Sequence, residues 1–347
     1  MNRNTYNQKV CLSSDNSSPV HPSVIQAIVE ANDGHAPSYG DDFWTKELEG
    51  HFEETFGRKV KTLLVPSGTG SNVLGLKLAC KRHESVLCSD MAHILTAESG
   101  ALESVVGAKL IAVPSEKGKV YPEAILKKLR QETFAGKHAT SPRVLSITQS
   151  TEVGTVYTLD EIREIRKFCD REELLLHMDG SRLYNAAVYL NSPLNEMAKY
   201  VDFLSLGGTK NGLAFAEALL IFHKEAQKGC EHQHKQSLLL VSKMRYLAAQ
   251  YLALFKNNLW EDLASLANNR AKELGAIIQA NPRFQITAPI ETNQIFFTTP
   301  REWIPYIQEN IACYVWNDET AEIRFVTSWN TSQNDVEKVR QIIQELK

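Results

Sequence analysis

The sequence predicts an α/β fold, with a mainly parallel central sheet and a smaller C-terminal α+β domain. Between residues 62 and 206, short apolar runs alternate with longer segments in which apolar residues recur at helical spacing. This alternation is typical of successive β-α-β units, whose strands pair in parallel. Beyond residue 282 the alternation stops, and short strand-like runs dominate. A chain of 347 residues is also long enough to form two hydrophobic cores.

Two helices are predicted before the alternation begins. Pro19 and Pro22 precede an amphipathic helix that is expected to end near residues 32–34, and a second helix is predicted over residues 43–56. The predicted strands that follow are residues 62–65, 85–88, 109–113, 143–148, 173–178 and 201–206. The helices predicted between them are residues 71–81, 96–104, 122–132 and 159–170.

The last third of the chain is predicted to begin with helices and to end in a small mixed domain. Helical spacing runs over residues 235–257 and 260–281, and Pro282 ends the second helix because the residue before a proline avoids helical backbone angles. The predicted strands of the tail are 283–288, 294–298, 311–316 and 322–326, and its predicted helices are 301–310 and 333–346. We therefore expect an N-terminal arm and helix over residues 1–35, a large domain over residues 36–257 and a small domain over residues 258–347.

Composition and charge favour a cytoplasmic protein that acts on small molecules. The net charge of −3 argues against a nucleic-acid or membrane partner. The first ten residues lack the apolar core of a signal peptide, and no apolar run approaches the ~20 residues that a membrane helix needs. The six cysteines show neither paired metal-like spacing nor a Cys-x-x-Cys motif, so we expect buried thiols in a reducing compartment and no metal site.

A lysine in a glycine-rich turn is the first candidate for chemistry. An apolar strand stops at a Gly-Gly pair, Lys210 follows, and Gly212 closes the turn before a second apolar run. Glycines let the backbone adopt positive φ and approach a bulky group closely. A lysine held in this way at the edge of a sheet is a candidate amine nucleophile toward an aldehyde cofactor. The alternative is a solvated lysine in a glycine turn.

An aspartate at the end of an apolar strand is the second candidate. The strand delivers Asp179 immediately before Gly180, and ligands bind at the carboxyl ends of the strands in open parallel sheets. A carboxylate there can keep a pyridine nitrogen protonated, so that the ring acts as an electron sink. The alternative is an aspartate that caps the helix beginning near Leu183. A helix cap, however, does not explain why the glycine-framed lysine follows one strand later.

The loop over residues 66–72 is a candidate phosphate site. It lies between a predicted strand and a predicted helix, so its backbone N–H groups face the start of the helix. The same loop supports a rival hypothesis, because Gly68, Gly70 and Val73 form a partial G-x-G-x-x-G dinucleotide fingerprint. Asp90 follows at about the place where a ribose carboxylate belongs. Valine at the third position weakens this hypothesis, because it would hinder close packing of helix and strand.

Several other polar residues are candidates for contacts with a cofactor or an anionic substrate. His93 follows a predicted strand at the ligand end of the sheet, where it could stack on a cofactor ring or be a satisfied core histidine. Arg182 and Arg324 are candidates for binding an anionic substrate. Arg324 lies in mid-strand, where a charged group should point outward or meet a carboxylate. His232 and His234 lack a third metal ligand and are interpreted as solvated loop residues.

Taken in order along the chain, these motifs resemble those of the threonine aldolase family. The resemblance runs from about residue 12 to about residue 330, and it rests on Ser14-Asp-Asn, Tyr39-Gly-Asp-Asp, Ser67-Gly-Thr, Ala92-His, Asp179-Gly-Ser-Arg, Gly207-Gly-Thr-Lys-Asn-Gly and Met244-Arg. The family comprises pyridoxal-phosphate enzymes of the aspartate aminotransferase fold (fold type I), which are related to the aromatic β-eliminating lyases. The resemblance therefore implies pyridoxal 5′-phosphate as cofactor, a large domain with a sheet of the seven-stranded type, and a small C-terminal domain.

The resemblance also implies roles for individual residues. Lys210 would be the Schiff-base lysine, Asp179 the partner of the pyridine nitrogen and His93 the residue stacked on the ring. The residues implied in phosphate binding are Gly68 and Thr69, with Arg245 and Lys235 reaching the phosphate of a neighbouring subunit. The residues implied in substrate binding are Ser14, Arg182, Arg324 and Tyr39.

One position departs from the family pattern. Many relatives carry a histidine in the loop after the strand 143–148, where it is thought to help handle the β-hydroxyl proton of the substrate. This sequence has Thr151-Glu-Val-Gly in that loop, with Glu152 at the matching place. The group that removes this proton therefore stays open between Glu152, His93 and a bound water.

The resemblance implies cleavage of L-threonine-like β-hydroxy-α-amino acids to glycine and an aldehyde, in a homodimer or homotetramer with shared active sites. A β-eliminating lyase, a hydroxymethyltransferase or an aminotransferase of the same fold would use the same lysine and aspartate. Two alternatives come from other classes of protein. One is a nicotinamide-dependent dehydrogenase built on the Gly68 loop, and the other is a cofactor-free scaffold that keeps the fold for binding.

Overall fold

A seven-stranded sheet lies at the centre of the structure, a computed structural model that describes residues 9–346. The first eight residues of the predicted N-terminal arm and the last residue, Lys347, lie outside the described residues. The strands are β1 (Val10–Cys11), β2 (Lys61–Val65), β3 (Glu84–Ser89), β4 (Lys109–Val113), β5 (Ser141–Thr148), β6 (Leu175–Gly180), β7 (Phe203–Leu206), β8 (Glu217–Ile221), β9 (Gln285–Ile286), β10 (Gln294–Thr298), β11 (Ile311–Ala312), β12 (Tyr314–Asn317) and β13 (Glu322–Val326).

The α-helices alternate with the strands of this sheet and continue into the C-terminal part. They are α1 (Pro22–Glu30), α2 (Phe43–Phe56), α3 (Gly68–Ala79), α4 (His93–Thr96), α5 (Ala101–Val105), α6 (Pro122–Thr133), α7 (Leu159–Arg171), α8 (Leu183–Leu190), α9 (Leu194–Ala198), α10 (Cys230–Gln236), α11 (Arg245–Phe255), α12 (Leu259–Gln279), α13 (Ile304–Asn310) and α14 (Gln333–Glu345).

The central sheet has the strand order β2-β8-β7-β6-β5-β3-β4. Strand β8 runs antiparallel to both of its neighbours, and the remaining pairs are parallel. The prediction of a mainly parallel sheet is therefore confirmed. Because parallel strands share one carboxyl edge, the loops after β3, β5, β6 and β7 meet there.

Helices cover both faces of the sheet, and its strands are accordingly apolar on both sides. Strand β8 shows this directly, because Ala218 and Leu220 belong to one apolar cluster and Leu219 and Ile221 to another. The first cluster includes side chains of α2, α7, α8 and α11, and the second includes side chains of α3 and α5. The alternation of side chains along a strand thus fills both helical layers.

The C-terminal part forms a second apolar core around an antiparallel sheet of strand order β12-β13-β10-β9. Strand β1 pairs with β11 in parallel, so Val10 and Leu12 lie in this core, far in sequence from the rest of it. Helix α12 contributes Leu263 to the large core and Leu274 to the small one. The domain boundary near residue 258 stays a prediction. It is supported by the fact that α12 packs into the large core at one end and into the small core at the other.

Two predicted helices are interrupted in the structure. The helix predicted over residues 96–104 is divided into α4 and α5, because Ser99 and Gly100 adopt positive φ of 53° and 67°. The helix predicted over residues 235–257 is divided into α10 and α11, and Leu238, with a φ of 63°, lies between them. The helical spacing of apolar residues continues across both breaks, so it could not predict them.

Two of the four predicted strands of the tail are shorter in the structure, whereas the helix after β2 begins earlier. The run 283–288 contains only β9, and the run 311–316 is divided between β11 and β12. Helix α3 begins at Gly68 rather than at residue 71, because Ser67 Oγ accepts a hydrogen bond from the N–H of Gly70 at 3.2 Å and caps the helix. The candidate phosphate loop is therefore the first turn of a helix. Over residues 9–346, none of the helices combines the length and the apolarity needed to cross a membrane.

Candidate active site

The turn that carries Lys210 requires its glycines. A Cβ on Gly207 would lie 2.7 Å from the backbone of the loop after β6, and a Cβ on Gly208 would lie 2.5 Å from the carbonyl oxygen of Ala216. Gly212, at a φ of 92°, ends the short 3-10 helix that contains Lys210. Larger residues at these positions would displace the backbone, so the sequence of the turn determines where the lysine lies.

Charged groups surround the amine of Lys210. Burial, followed by the positive charge of Arg182, lowers the pKa of Lys210, although the carboxylates of Asp15, Asp179 and Glu217 oppose this shift. A lowered pKa increases the fraction of neutral amine, which is the nucleophilic form. Glu217 also holds the turn, because its carboxylate accepts a hydrogen bond from the N–H of Gly208 at 2.9 Å.

Asp179 lies at the end of β6 with both carboxylate oxygens occupied. Its Oδ2 accepts a hydrogen bond from Asn72 Nδ2 at 2.9 Å, and its Oδ1 accepts one from the N–H of Ser181 at 3.0 Å. Burial opposes ionisation of this carboxyl, but the charge of Lys210 and the bond from Asn72 outweigh it and lower the pKa of Asp179. Asp179 is not the N-cap of α8, because Arg182 occupies that position.

His93 and Glu152 are joined beside Asp179. The N–H of His93 donates to Glu152 Oε1 at 2.9 Å, and the same oxygen accepts a hydrogen bond from Thr148 Oγ1 at 2.8 Å. The side chain of His93 is 47% exposed, and its Nδ1 lies 2.8 Å from Glu98 Oε1. Burial raises the pKa of Glu152, which therefore can hold a proton more readily than an exposed glutamate.

The first turn of α3 presents unobstructed backbone N–H groups. Gly68 has open space where a side chain would project, whereas a Cβ on Gly70 would lie 2.8 Å from Leu239 Cδ2. The N–H groups of Gly68 and Thr69 belong to the first helical turn, where no carbonyl of the same helix can accept them. Such groups, together with the helix dipole, favour a bound anion.

The two candidate substrate arginines meet the N-terminal segment around residue 15. Arg182 donates to both oxygens of the buried Asp15, through Nε at 2.8 Å and Nη2 at 2.9 Å. Arg324 Nη2 donates to the carbonyl oxygen of Ser13 at 3.2 Å, and within the described residues its buried Nε has no hydrogen-bond acceptor. Burial lowers the pKa of Arg324 to about 10, and the charge of Arg182 acts in the same direction. Ser14 Oγ accepts a hydrogen bond from Asn16 in the same segment.

The remaining three candidates lie in, or contact, the segment between α1 and α2 and the start of α2. Lys235 Nζ lies 4.4 Å from the ring centroid of Tyr39, which is 48% exposed. Arg245 Nη1 donates to the carbonyl oxygen of Gly34 at 3.2 Å, and the Arg245 guanidinium lies over Trp44. Within the described part of the chain, these three residues form no hydrogen bond or ion pair with Lys210, Asp179 or His93.

The sequence analysis did not single out several polar residues of the site, among them Asp15, Asn72 and Glu98. Asp15 lies inside the Ser14 motif and Asn72 ends the candidate phosphate loop, so both were within quoted motifs. Glu98 follows His93 by five residues and carried no signal, because a glutamate in a predicted helix is usually solvated. Each of them contacts a candidate that the sequence did indicate: Asp15 contacts Arg182, Asn72 contacts Asp179, and Glu98 contacts His93.

Comparison with known proteins identifies the family of this chain. The model of the beta-eliminating lyase family matches residues 12–300. The chain belongs to the beta-eliminating lyase family. It is 36% identical to the low specificity L-threonine aldolase of Pseudomonas aeruginosa, over 96% of each chain. It is 27% identical to the corresponding Saccharomyces cerevisiae protein, over 82% of this chain and 73% of that one.

Comparison with solved structures shows that the lyase also shares the fold of known threonine aldolases. The Leishmania major threonine aldolase matches with a TM-score of 0.91 at 27% identity, over 97% of this chain and 99% of that one. Rhodiola rosea 4-hydroxyphenylacetaldehyde synthase matches with a TM-score of 0.76 at 13% identity, over 96% of this chain and 82% of that one, which shows the shared fold alone. The predictions of fold type I and of a threonine aldolase relative are therefore confirmed. A nicotinamide-dependent dehydrogenase is not favoured.

Lyases of this family depend on pyridoxal 5′-phosphate, as the sequence analysis expected. The residues of this lyase fit that group. Lys210 has a lowered amine pKa, and Asp179 has a lowered carboxyl pKa beside it. The open first turn of α3 suits the phosphate, and the exposed ring of His93 is available for stacking.

Proposed function

We propose that this protein cleaves L-threonine, L-allo-threonine and related β-hydroxy-α-amino acids to glycine and an aldehyde, with pyridoxal phosphate as cofactor. The observation that carries the proposal is that Lys210 and Asp179 lie together at the carboxyl edge of the sheet. The similarity to the P. aeruginosa low specificity L-threonine aldolase over nearly the whole chain supports the same activity.

Four groups of this chain would hold the cofactor. Lys210 would bind it covalently, Asp179 would hold the proton of its ring nitrogen, and His93 would stack on its ring. The first turn of α3, with Gly68 and Thr69, would bind the phosphate. The bound cofactor supplies an electron sink for the pair of electrons left by bond cleavage.

The substrate carboxylate would be bound by the two arginines and Ser14. Asp15 takes the Nε and Nη2 side of Arg182, so the Nη1 side of that guanidinium remains for a second carboxylate. Arg324 lies near Arg182, and both raise the local positive potential. Holding the carboxylate in this way would set the orientation of the Cα–Cβ bond. Tyr39 stays a predicted substrate contact, although it lies with Lys235 in one protomer.

Incubation with three amino acids tests this function. With L-threonine, L-allo-threonine and phenylserine, we expect glycine and the matching aldehyde in equal amounts, measured by chromatography. The protein without pyridoxal phosphate should form neither product, which is the matched control. Release of ammonia would instead indicate β-elimination, a folate requirement would indicate a hydroxymethyltransferase, and a keto acid would indicate an aminotransferase. Any of these in place of glycine and aldehyde would refute the proposal.

We further propose that the protein acts as a homodimer or homotetramer, with Arg245 and Lys235 contributing to the phosphate site of a neighbouring subunit. Within the described residues, no hydrogen bond or ion pair joins either of them to Lys210; their contacts are with Gly34 and Tyr39. Exposed apolar side chains occur in the same part of the chain, among them Phe43 at 69% and Leu238 at 91%. Burial of such groups between subunits is favourable. A cytoplasmic location likewise stays a prediction.

Mixed subunits test the shared site. Arg245→Ala and Lys210→Ala proteins should each be impaired alone, and after subunit exchange they should regain part of the threonine cleavage rate. The reason is that a hybrid dimer would contain one site in which both residues are intact. A mixture of Lys210→Ala with Lys210→Ala protein carrying a second tag is the control for exchange. If exchange is verified and activity does not return, Arg245 does not act across an interface.

A further inference from the structure

A buried carboxylate behind His93 has no role in the function proposed above. Glu98 is 6% exposed, and its Oε1 lies 2.8 Å from His93 Nδ1. The same oxygen accepts a hydrogen bond from Asn72 Nδ2 at 3.0 Å. Asn72 Nδ2 also donates to Asp179 Oδ2 at 2.9 Å. A continuous chain of hydrogen bonds therefore joins His93 to Asp179 through Glu98 and Asn72.

The hydrogen-bond donors in this series of contacts determine which nitrogen of His93 carries the proton. Asn72 must present its NH2 group to the two carboxylates, because its carbonyl oxygen would be repelled by both. Glu98 Oε1 is therefore an acceptor, and a carboxylate has no proton to donate to His93. The hydrogen on the 2.8 Å contact must come from His93 Nδ1. In the neutral imidazole, Nε2 on the opposite edge of the ring is then a proton acceptor.

Glu152 is less accessible to a substrate than this nitrogen. Its Oε1 already accepts hydrogen bonds from the N–H of His93 and from Thr148 Oγ1. Its Oε2 is buried and has no hydrogen-bond partner among residues 9–346. The side chain of His93 is in contrast 47% exposed. Glu152 thus holds the backbone at His93, whereas about half of the His93 side chain is accessible to solvent.

We propose that Glu98 is a positioning residue that keeps the proton of His93 on Nδ1 and so presents Nε2 to the β-hydroxyl proton of the substrate. This inference rests on the proposed aldolase function. In the transfer, the O–H bond of the substrate breaks and an N–H bond forms at Nε2. The electron pair left on oxygen becomes part of the aldehyde C=O bond as the Cα–Cβ bond breaks, and the pair of that bond would remain on Cα, stabilised by the electron sink that the bound cofactor supplies. Glu98 itself touches neither the substrate nor the reacting atoms.

The first test observes His93 in cofactor-free protein by long-range 1H–15N NMR of the histidine side chains. The signals of His93 are assigned by their loss in His93→Asn protein. We expect Nδ1 to be protonated and Nε2 to be unprotonated in the neutral ring. In Glu98→Leu protein this preference should disappear, because the acceptor is gone. Glu103→Gln changes an exposed glutamate of the next helix and should leave the His93 signals unchanged. A wild-type His93 protonated on Nε2 would overturn the proposal.

The second test compares two reactions of the holoenzyme. Glu98→Leu should lower kcat for threonine cleavage roughly 10- to 100-fold, the usual effect of losing a group that orients a functional histidine. Exchange of the α-protons of glycine needs no base for a β-hydroxyl, so its rate should change far less. A purely structural role would slow both reactions together. Equal loss in both, or no loss in either, would contradict the proposal.

A milder variant keeps the proposal testable if Glu98→Leu does not fold. Glu98→Gln leaves a weaker, uncharged acceptor for His93, so part of the neutral ring should carry its proton on Nε2, and cleavage should slow in proportion while exchange does not. A shift of the proton to Nε2 with wild-type cleavage, or slower cleavage with the proton still on Nδ1, would refute the role of Glu98. Absence of glycine and aldehyde from the wild-type and Glu103→Gln proteins would instead refute the proposed function itself.

Discussion

Lys210→Ala protein is expected to lose turnover, with kcat for L-threonine falling at least roughly a hundred- to ten-thousandfold, the range that a positioned acid–base group contributes. Burial and the charge of Arg182 lower the pKa of the Lys210 amine, so the wild-type side chain can act as a nucleophile. Alanine has no amine. The measurement is the rate of aldehyde formation at saturating substrate.

Covalent labelling locates the same lysine independently. Borohydride reduction of the wild-type holoenzyme, followed by peptide mapping, should place a pyridoxyl group on Lys210. Lys199→Ala is a matched control, because the Lys199 side chain is 55% exposed and its ion pair is with the nearby Glu196. This variant should keep the wild-type rate and the same labelled peptide. A pyridoxyl group on another lysine would overturn the assignment.

Asp179→Asn protein is expected to lose far more kcat than cofactor affinity. The charge of Lys210 and the hydrogen bond from Asn72 keep the pKa of Asp179 low, so the wild-type residue is an anion that can hold a pyridine nitrogen protonated. A neutral amide cannot do so. Loss of one such interaction at a developing charge costs about 2.7–4 kcal/mol, or roughly a hundred- to thousandfold in rate. Steady-state kinetics and cofactor titration measure the two effects separately.

The same variant distinguishes a catalytic carboxylate from a structural one. Asparagine can still accept the hydrogen bond from the N–H of Ser181, but its NH2 group would face Asn72 Nδ2. We therefore expect a lower thermal midpoint as well as a lower kcat. Asp160→Asn makes the same charge change at a side chain that is 82% exposed, so it should alter neither the midpoint of thermal unfolding nor kcat. A lower midpoint with wild-type kcat would mean that Asp179 is only structural.

The bounds of a helix or strand could be predicted closely where the residues next to it in the sequence determine its ends. Helix Phe43–Phe56 has its predicted bounds, because Asp42 caps its start and Gly57, at a φ of 62°, ends it. Strands Lys109–Val113 and Gln294–Thr298 also match, since each is a short run made mainly of apolar residues. The breaks at Gly100 and Leu238 could not be predicted, because one residue with positive φ leaves the spacing of apolar residues unchanged.

Within the site, the sequence by itself determined the residues at the strand ends. Asp179 ends an apolar strand immediately before Gly180, and Lys210 follows the next apolar strand in a turn framed by Gly208 and Gly212. This local pattern places both residues at the carboxyl edge of a parallel sheet. The same reasoning indicated His93. Their prediction needed no knowledge of which strands pair.

Only the tertiary structure decided which side chains these residues meet. Asp15 contacts Arg182 across 167 residues of sequence, and Asn72 contacts Asp179 across 107. These contacts depend on the strand order of the sheet and on the path of the N-terminal segment, whereas sequence periodicity reports only on neighbours along one helix or strand. The lowered pKa values of Lys210 and Asp179 depend on burial and on such long-range contacts, because charges act through space rather than along the chain.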